Sequence, residues 1–270
     1  MKIGFIGMGN MALALCEGFL KSGNVRGEEI FAYAPHRDKL EANAGRLGFS
    51  PVSSSAEAVK DADLVFLACK PYQIEDVLKE LGTALSGRAL VSVAAGWSLE
   101  RFEGLLKEIR EKQPELGPVR IQCVMPNTPA MVNEGVFLIE QENTFTEAER
   151  ELLLRLLTPL GLTHELPSRL MGIGGAITGC SPAFVDLFLE AYADAAVKYG
   201  IPRADAYPLI AQAVLGSAKL QQASGLHPGV LKDQVCSPAG TTICGVQALE
   251  TNGFRAACMA SIDAIMQKKG

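Results

Sequence analysis

A glycine-rich turn close to the start of the chain constrains its fold more than any other feature. Residues 2–7 have the composition of a strand, and residues 10–22 carry apolar side chains at helical spacing. Between them stands Gly7-Met8-Gly9-Asn10-Met11-Ala12, which is the GxGxxG/A pattern with alanine in the third place. The first glycine permits a tight turn, the second lets a pyrophosphate approach the backbone, and the small third residue lets helix and strand pack closely. Because the helix start also offers free N–H groups to phosphates, we predict a dinucleotide site at this turn.

The end of the second predicted strand bears on which dinucleotide binds. This strand covers residues 30–33, and the sequence continues Ala34-Pro35-His36-Arg37 with no carboxylate before Asp38. An NAD site usually places Asp or Glu here to bind the ribose 2′-hydroxyl. Arg37, with His36 beside it, would meet a 2′-phosphate instead, unless both are solvated loop residues. The sequence therefore favours NADPH and leaves NADH possible.

Strands and helices continue to alternate through the first half of the chain. Further strands are predicted at residues 64–69, 89–93, 120–124 and 135–140, with helices at 37–47, 54–60, 72–81, 99–112 and 146–157. This alternation predicts an α/β domain, a Rossmann-like, doubly wound and mostly parallel sheet with helices on both faces.

In such a sheet, ligands bind beyond the carboxyl ends of the strands. The later strand ends are therefore further candidates for cofactor contacts, with a plain turn as the alternative at each. The predicted cofactor contacts are Ile6, Gly7, Met8, Gly9, Asn10, Met11, Ala34, His36, Arg37, Ser55, Cys69, Lys70, Pro71, Ala94, Ala95, Gly96 and Asn127.

The pattern changes after Pro167. Residues 170–217, 219–226 and 241–268 show helical periods and no convincing strand, and Pro182, Pro202 and Pro208 are predicted at helix starts, where proline is favoured. We therefore predict a dinucleotide-binding domain of residues 1–164 and an all-helical domain of residues 165–270. Apolar side chains lie on several faces of these helices, and such helices must be covered by protein. A homodimer or larger homo-oligomer built from the helical domain is the expected solution.

Composition argues against several classes of partner. The chain has 270 residues, of which 48% are hydrophobic and 20% charged, and its net charge is −5. A mildly acidic chain is not expected to bind nucleic acid. No secretory signal is visible, and no run reaches the ~18 apolar residues that a membrane span needs. The seven cysteines show no metal-binding spacing. We expect a cytoplasmic protein with reduced thiols, no metal site and no membrane partner.

The sixteen residues from His227 to Thr242, HPGVLKDQVCSPAGTT, strongly resemble the C-terminal signature of the pyrroline-5-carboxylate reductase family. The GMGNMA turn, the CKP strand end at residues 69–71 and the PNTPA run at residues 126–130, with Gly135 after it, fit the same family. The Gly179 to Ala183 region also fits, so the resemblance covers essentially the whole chain in the right order.

The chain departs from the family pattern at two places. The family commonly has SPGG where this chain has Ser237-Pro238-Ala239-Gly240, and alanine is tolerable there if the φ of Ala239 is below zero. The family commonly has SGSGPAY where this chain carries Cys180 and Ser181, which add bulk near the expected substrate pocket. These departures bear on which imine is accepted more than on the type of reaction.

The resemblance implies reduction of L-1-pyrroline-5-carboxylate to L-proline by hydride transfer from NAD(P)H. It implies that the substrate is bound by the end of the signature, where a helix start would hold its carboxylate. The implied substrate contacts are Val235, Ser237, Gly240, Thr241 and Thr242. The hydroxyl of Thr242 is the implied catalytic group, hydrogen-bonded to the ring nitrogen, while the alternative is that one threonine only caps the helix. His227 is expected to be structural. The resemblance further implies interleaved subunits, with this segment of one chain close to the cofactor of the other.

Two other functions remain open at this point. One is an imine reductase or a β-hydroxyacid dehydrogenase on the same two-domain plan. Such enzymes usually need a lysine or aspartate proton donor, and Lys198 and Lys219 have no matching motif around them. The other is a module that senses NADP(H) without turnover, which would have no need of a pocket for a substrate carboxylate.

Overall fold

A computed structural model of the protein describes residues 1–268. An eight-stranded sheet forms the centre of its N-terminal part. The strands, in chain order, are β1 Ile3–Ile6, β2 Ile30–Tyr33, β3 Ser50–Pro51, β4 Leu64–Leu67, β5 Ala89–Ser92, β6 Arg120–Pro126, β7 Gly135–Glu140 and β8 Gly161–Leu166. Across the sheet their order is β3-β2-β1-β4-β5-β6-β7-β8. The first six strands are parallel, β7 is antiparallel to β6, and β8 is parallel to β7. The predicted doubly wound, mostly parallel sheet is confirmed.

Helices connect these strands. They are α1 Asn10–Ser22, α2 Arg37–Leu47, α3 Ser55–Val59, α4 Ile74–Leu81, α5 Leu99–Lys112 and α6 Glu147–Leu157. The helices α3, α5 and α6 begin after Ser54, Ser98 and Thr146, whose hydroxyls accept hydrogen bonds from backbone N–H groups of the first turn. Helices α1 and α2 end at glycines with φ of +73° and +77°, the left-handed conformation that glycine adopts without steric cost.

The core of the sheet lies on both of its faces. All residues of β1 and β4 are buried, which explains why these strands are continuous apolar runs rather than alternating ones. On one face the rings of Phe5 and Phe66 stack with centroids 5.0 Å apart, and Phe19 of α1 packs on Phe66 at 5.7 Å. On the other face Trp97 and Phe102 lie 4.7 Å apart within a second apolar cluster. This double burial fixes the strand ends rigidly.

The chain divides into two compact units, Met1–Gly179 and Cys180–Gly270. The remaining helices are α7 Ser168–Lys198, α8 Arg203–Ser224, α9 Pro228–Val235, α10 Thr241–Thr251 and α11 Phe254–Lys268. Between residues 180 and 268 only Ala193 and Ala206 are buried, while Leu187 and Leu209 are 67% and 58% exposed. Helices with so little core of their own expose apolar surface that must be covered by something other than water. The predicted domain boundary at residues 164/165 stays a prediction.

Two of the three predicted helix starts at proline are wrong. Pro182 lies inside α7 and Pro208 inside α8, whereas Pro202 directly precedes α8. A proline inside a helix removes the hydrogen bond to the carbonyl four residues earlier, which for Pro182 is the carbonyl of Thr178. That carbonyl accepts a hydrogen bond from the side-chain amide of Asn127 at 3.0 Å. The donor that proline lacks is thus supplied by the residue that follows β6, and α7 continues without a break.

The sequence prediction also missed three elements. Strand β3 has two residues, one of them proline, and β8 lies at the edge of the sheet with polar residues at its outer positions. Both have only one neighbouring strand, so they carry a weak apolar signal. Helix α9 was not among the predicted helical segments. Within residues 1–164 the other boundaries differ from the prediction by a few residues at most, whereas the predicted helical segments 170–217, 219–226 and 241–268 do not match the divisions between α7, α8, α10 and α11.

Helix α7 is long and apolar enough to cross a membrane, judged by length and composition alone. Only 11% of its most apolar window is buried within the single chain. The exposed part of this helix is therefore a surface that either lipid or protein must cover.

Candidate active site

The carboxyl ends of the parallel strands form one edge of the sheet, where the turns that follow them meet. Beyond the strands the pairing continues. Gly7 N–H donates to the Tyr33 carbonyl at 2.8 Å, Ala68 N–H to Ile6 at 2.8 Å, and Val93 N–H to Leu67 at 3.2 Å. The structure therefore brings together the turns after β1, β2, β4 and β5, which hold most of the predicted cofactor contacts.

Gly7 is required by the protein itself. Its φ is +93°, and a Cβ at this position would lie 2.6 Å from the backbone nitrogen of Cys69 and 2.7 Å from Ala68. No other residue fits such a close approach between the β1 and β4 turns. Ala12 is fully buried, so the small third residue of the motif packs where a side chain of any size would push α1 away.

Gly9 is different, because no steric contact within the chain requires the absence of a side chain. Its φ is −84°, and a Cβ added here would have no protein atom within 4 Å. Gly9 is also the N-cap of α1, and no side chain caps this helix start, so the first N–H groups stay available. Open space beside uncapped N–H groups is what a pyrophosphate requires. These residues fit a dinucleotide, with Met8 buried and Asn10 exposed at the turn.

On the side of β2 the predicted contacts Ala34, His36 and Arg37 follow one another at the start of α2. His36 and Arg37 are exposed. The Arg37 Nε donates to the carboxylate of Glu41 at 2.6 Å, and its Nη1 donates to the carbonyl of Val52 at 2.7 Å. Arg37 is therefore not a freely moving loop residue. Glu41 was missed from the sequence, although its spacing of four residues from Arg37 on one helix is a usable signal.

The turn after β4 carries the predicted contacts Cys69, Lys70 and Pro71. Burial raises the pKa of the Cys69 thiol to about 11, so this thiol is neutral near pH 7. Lys70 is exposed. The side chain of Ser55, another predicted contact, is buried and does not reach the cofactor surface. Ser55 is 2% exposed, and its hydroxyl donates to Glu80 at 2.9 Å.

After β5, Ala94 is buried, whereas Ala95 and Gly96 are exposed. Gly96 has a φ of +78° and its carbonyl accepts a hydrogen bond from Arg101 at 3.2 Å. Trp97, which sequence reasoning missed, ties this turn to the previous one, since its indole N–H donates to the Pro71 carbonyl at 3.0 Å. Small, exposed residues on a fixed turn suit the packing of a flat ring.

A buried carboxylate supports the same turn. Glu140 is 1% exposed and accepts a hydrogen bond from the backbone N–H of Leu99, the first residue of α5, at 3.1 Å. A negative charge at a helix start is favourable, and here it fixes the helix that follows the Ala94–Gly96 turn. No sequence signal identifies this pair, because its members are 41 residues apart.

Asn127 has a largely structural setting. It is 6% exposed, its Nδ2 donates to the Thr178 carbonyl, and its Oδ1 accepts from the backbone N–H of Val136 at 2.8 Å. The structure thus gives the predicted cofactor contact at Asn127 a second role, which is to join β6, β7 and α7.

In the second unit, the predicted substrate contacts lie at a turn and a helix start. Gly240 N–H donates to the Ser237 carbonyl at 3.0 Å, which closes a four-residue turn with proline second. The third residue, Ala239, has a φ of +59°. This combination describes a type II turn, in which the third position favours glycine. The condition under which alanine would be tolerated, a φ below zero, is therefore not met, and alanine here is strained.

Gly240, rather than a threonine, is the N-cap of α10. It has φ −76° and ψ 169°, and no side chain caps the helix start. The alternative that Thr241 or Thr242 is the cap is wrong, because both lie in the first turn, and both are exposed. A Cβ at Gly240 would lie 2.4 Å from the Ser237 Oγ, so glycine is needed for the turn to close. Val235, also a predicted contact, is exposed at the end of α9.

His227 is the N-cap of α9, and its Nδ1 accepts from Gly229 N–H at 3.0 Å. This agrees with a structural role for His227. Within residues 1–268, no group of three or more His, Cys, Asp or Glu side chains is placed to hold a metal ion.

Two family profiles match the chain. The profile described as pyrroline-5-carboxylate reductase dimerisation matches residues 168–270, and the profile described as NADP oxidoreductase, coenzyme F420-dependent, matches residues 2–96. Among individual proteins, a pyrroline-5-carboxylate reductase from Treponema pallidum (strain Nichols) is 39% identical over 98% of this chain and 99% of its own length. The corresponding protein of Escherichia coli (strain K12) is 40% identical over 99% of this chain and 96% of its own.

Solved structures agree with these relatives. A Plasmodium falciparum pyrroline carboxylate reductase with NADP bound superposes with a TM-score of 0.86 at 30% identity, covering 100% of this chain and 97% of that one. A 1-pyrroline-5-carboxylate reductase from Streptococcus pyogenes gives a TM-score of 0.83 at 30% identity, covering 100% and 98%. An imine reductase from Streptomyces aurantiacus covers 99% of this chain and 94% of its own, with a TM-score of 0.53 at 17% identity, so it shares the fold alone.

Proposed function

The chain belongs to the pyrroline-5-carboxylate reductase family, and from that premise we propose how its own residues carry out the family's reaction. The protein is an NAD(P)H-dependent oxidoreductase that reduces L-1-pyrroline-5-carboxylate to L-proline, the last step of proline biosynthesis. Within the structure, the observation that carries this function is Gly9. A glycine with open space around it, at an uncapped helix start that directly follows a strand, gives a phosphate access to the backbone N–H groups.

The dinucleotide is bound at the carboxyl edge of the sheet. The turn from Ile6 to Met11 receives the pyrophosphate on the N–H groups of α1, and Ala34, His36 and Arg37 surround the adenosine ribose. The turns after β4 and β5 hold the nicotinamide end, with Ala95 and Gly96 exposed beside it. When bound, the reduced cofactor supplies a hydride to the substrate. The turn from Ile6 to Met11 includes Gly7, Met8, Gly9 and Asn10. The other contacts in this proposal are Ser55, through its backbone, and Cys69, Lys70, Pro71, Ala94 and Asn127.

The substrate carboxylate is bound at the start of α10. Gly240 leaves the helix uncapped, so the N–H groups of the first turn point at an acceptor that the chain does not provide. The partial positive charge of a helix start favours an anion there. Ser237, Thr241 and Val235 complete the surroundings, two through polar groups and one through an exposed apolar side chain.

The reaction adds a hydride to the carbon of the C=N bond and a proton to its nitrogen, which gives a secondary amine. A cyclic imine is basic enough to bind partly protonated, so no strong general acid is required. The hydroxyl of Thr242, exposed in the first turn of α10, forms a hydrogen bond with the ring nitrogen: it accepts from the N–H of the protonated imine and donates to the nitrogen lone pair that hydride addition creates. Most of the rate enhancement comes from holding two rings in reacting geometry.

The protein forms a homo-oligomer through its helical unit. The match of residues 168–270 to a dimerisation profile supports this. The finer proposal is a homodimer or a larger assembly of such dimers. The exposed apolar side chains of α7 and α8 supply the contact surface, and the same contact covers the apolar face of α7 that would otherwise meet water or lipid.

The protein is proposed to act in the cytoplasm, without nucleic acid or membrane as partners. All seven cysteines are free thiols, which suits a reducing compartment. The net charge of −5 gives no basic surface for a polyanion.

The test is NADPH consumption by the purified protein with L-1-pyrroline-5-carboxylate, with the product identified as proline. A 3-hydroxy acid with NADP⁺ serves as the rival substrate, and a linear imine serves as a second one. Turnover of the pyrroline alone supports the proposal. Preference for either rival substrate would assign the chain to another reductase class on the same fold, and cofactor binding without any turnover would make it a sensor.

A further inference from the structure

The guanidinium of Arg37 is shared between two acceptors of the chain itself. Its Nε donates to the Glu41 carboxylate at 2.6 Å and its Nη1 to the Val52 carbonyl at 2.7 Å. Both members of the ion pair are partly open to solvent, with side-chain exposures of 47% for Arg37 and 55% for Glu41. The guanidinium is therefore fixed at the end of β2 while its remaining N–H groups stay accessible.

The negative charge of Glu41 opposes the proposed role of Arg37 as the contact of a 2′-phosphate. A 2′-phosphate bound to the guanidinium would also lie within a few ångströms of the Glu41 carboxylate, because both anions contact the same planar group. Like charges at such distances repel, and the repulsion grows with the second negative charge of a phosphate. NAD carries no 2′-phosphate, so the same carboxylate leaves its binding unaffected.

A second carboxylate, that of Glu57, also interacts electrostatically with Arg37, but its hydrogen bonds are to another residue. Glu57 accepts hydrogen bonds from the N–H and the hydroxyl of Ser53, at 2.9 and 2.7 Å. These bonds, with a smaller contribution from Arg37, hold the pKa of Glu57 below its ordinary value. Glu57 thus fixes its own loop, whereas Glu41 accepts its side-chain hydrogen bond from Arg37.

We propose that Glu41 is a specificity-determining residue, whose carboxylate on Arg37 weakens binding of the 2′-phosphate and so keeps NAD(H) competitive with NADP(H). The inference rests on the proposed function, since it takes Arg37 as the 2′-phosphate contact. The bond to Val52 is independent of Glu41, so Arg37 keeps its place when the charge of Glu41 is removed.

The test compares wild type with Glu41→Gln by calorimetric titration with NADP⁺ and, separately, NAD⁺, in the absence of substrate. The amide preserves the shape of the side chain and its acceptor oxygen. We expect NADP⁺ to bind about threefold to tenfold more tightly, by loss of one like charge near the phosphate, with NAD⁺ within about twofold of wild type. The gain should shrink as salt rises from low to physiological concentration, because exposed charges are screened.

Glu75→Gln is the matched control. Glu75 forms the same kind of exposed i,i+4 ion pair, with Lys79 on α4 at 2.5 Å, and makes no bond to Arg37. It should leave both dissociation constants unchanged. An unchanged or weaker affinity of Glu41→Gln for NADP⁺, or an equal gain for NAD⁺, overturns the inference. If the same variant still reduces pyrroline-5-carboxylate with NADPH, only the inference has failed. An inactive wild type would instead overturn the proposed function.

Discussion

The side-chain amide of Asn127 donates to the carbonyl oxygen of Thr178 at 3.0 Å, four residues before Pro182. In an uninterrupted helix that carbonyl would accept from the N–H of residue 182, which proline lacks. One residue that follows β6 thus completes a hydrogen bond that α7 cannot complete by itself. A side-chain to backbone hydrogen bond thereby links the PNTPA run to the turn of α7 that precedes Pro182, although the two are far apart in sequence.

This relationship predicts an energetic coupling between Asn127 and Pro182. Asn127→Ala should reduce the free energy of unfolding by about 1–3 kcal/mol, because a partly buried carbonyl loses its donor and the Val136 N–H loses its acceptor. In a Pro182→Ala background the helix supplies its own N–H, so the same substitution should cost less. The measurement is a double-mutant cycle by urea unfolding at one protein concentration. Equal losses in both backgrounds would show that Asn127 acts only through its bond to Val136.

Arg37→Ala should distinguish the two nicotinamide cofactors. If Arg37 binds the 2′-phosphate, its removal should weaken NADPH binding by about 1 kcal/mol or more, the scale of a charge-assisted hydrogen bond, and spare NADH. Dissociation constants for both reduced cofactors provide the measurement. An equal loss for NADH and NADPH would mean that Arg37 shapes the loop through Val52 and does not meet the phosphate.

Thr242→Ala tests the proposed hydrogen bond to the imine nitrogen. We expect kcat/KM to fall about tenfold or more, because the hydroxyl donates to the lone pair that the nitrogen gains as the hydride is transferred, a bond that is absent in the ground state. Thr242→Ser keeps the hydroxyl and should recover most of the loss. Steady-state kinetics at saturating cofactor decide the question. Equal activity of the two variants, whether high or low, would reduce Thr242 to a packing residue.

Ala239→Gly should stabilise the protein. The φ of +59° costs an alanine about 1 kcal/mol relative to glycine, and part of this gain is lost because glycine is more flexible when unfolded. We expect a net gain of about 0.5 kcal/mol, measured as a rise in the urea midpoint. Ala42→Gly, at an exposed position inside α2, is the control and should destabilise by about 0.5–1 kcal/mol. A similar loss in both variants would contradict the strained turn.

Activity should depend on association, and the family resemblance predicts that each site draws on two chains. A Gly9→Val chain lacks the cofactor site, and a Thr242→Ala chain lacks the imine contact. When the two are co-refolded, mixed dimers should recover up to about a quarter of wild-type activity, since half are mixed and each contains one intact site. Light scattering of the same mixture gives the mass. A fully active monomer would refute association, and a dimer without recovery would confine each site to one chain.

Local signals explain which parts of the fold the sequence predicted. The bounds of α1, β2, α2, α5 and β7 agree with expectation, because the stops are glycines or follow clear changes of periodicity. Strand β8 was missed because its partner lies elsewhere in the chain and only one of its sides is paired. The helical unit was predicted as a class, whereas Pro182 misled the placement of its first helix.

The candidate site divides in the same way. The glycine turn and the signature at residues 227–242 are contiguous, so their residues could be named from the sequence. The bonds of Glu140 to Leu99 and of Trp97 to Pro71 depend on the register of distant strands, which no local pattern encodes. The φ of Ala239 is positive because the turn closes around it, whereas alanine as a residue type favours a negative φ.

Trp97 gives this protein an intrinsic optical probe. It is the sole tryptophan of the chain, its ring is sandwiched near Phe102 and the Arg101 guanidinium, and its N–H is held by the turn after β4. Excitation at the indole band therefore reports on one place only, the pair of turns assigned to the nicotinamide end. A dihydronicotinamide absorbs where indole emits, so a cofactor arriving there should quench the emission by energy transfer, and occupancy becomes readable without any label.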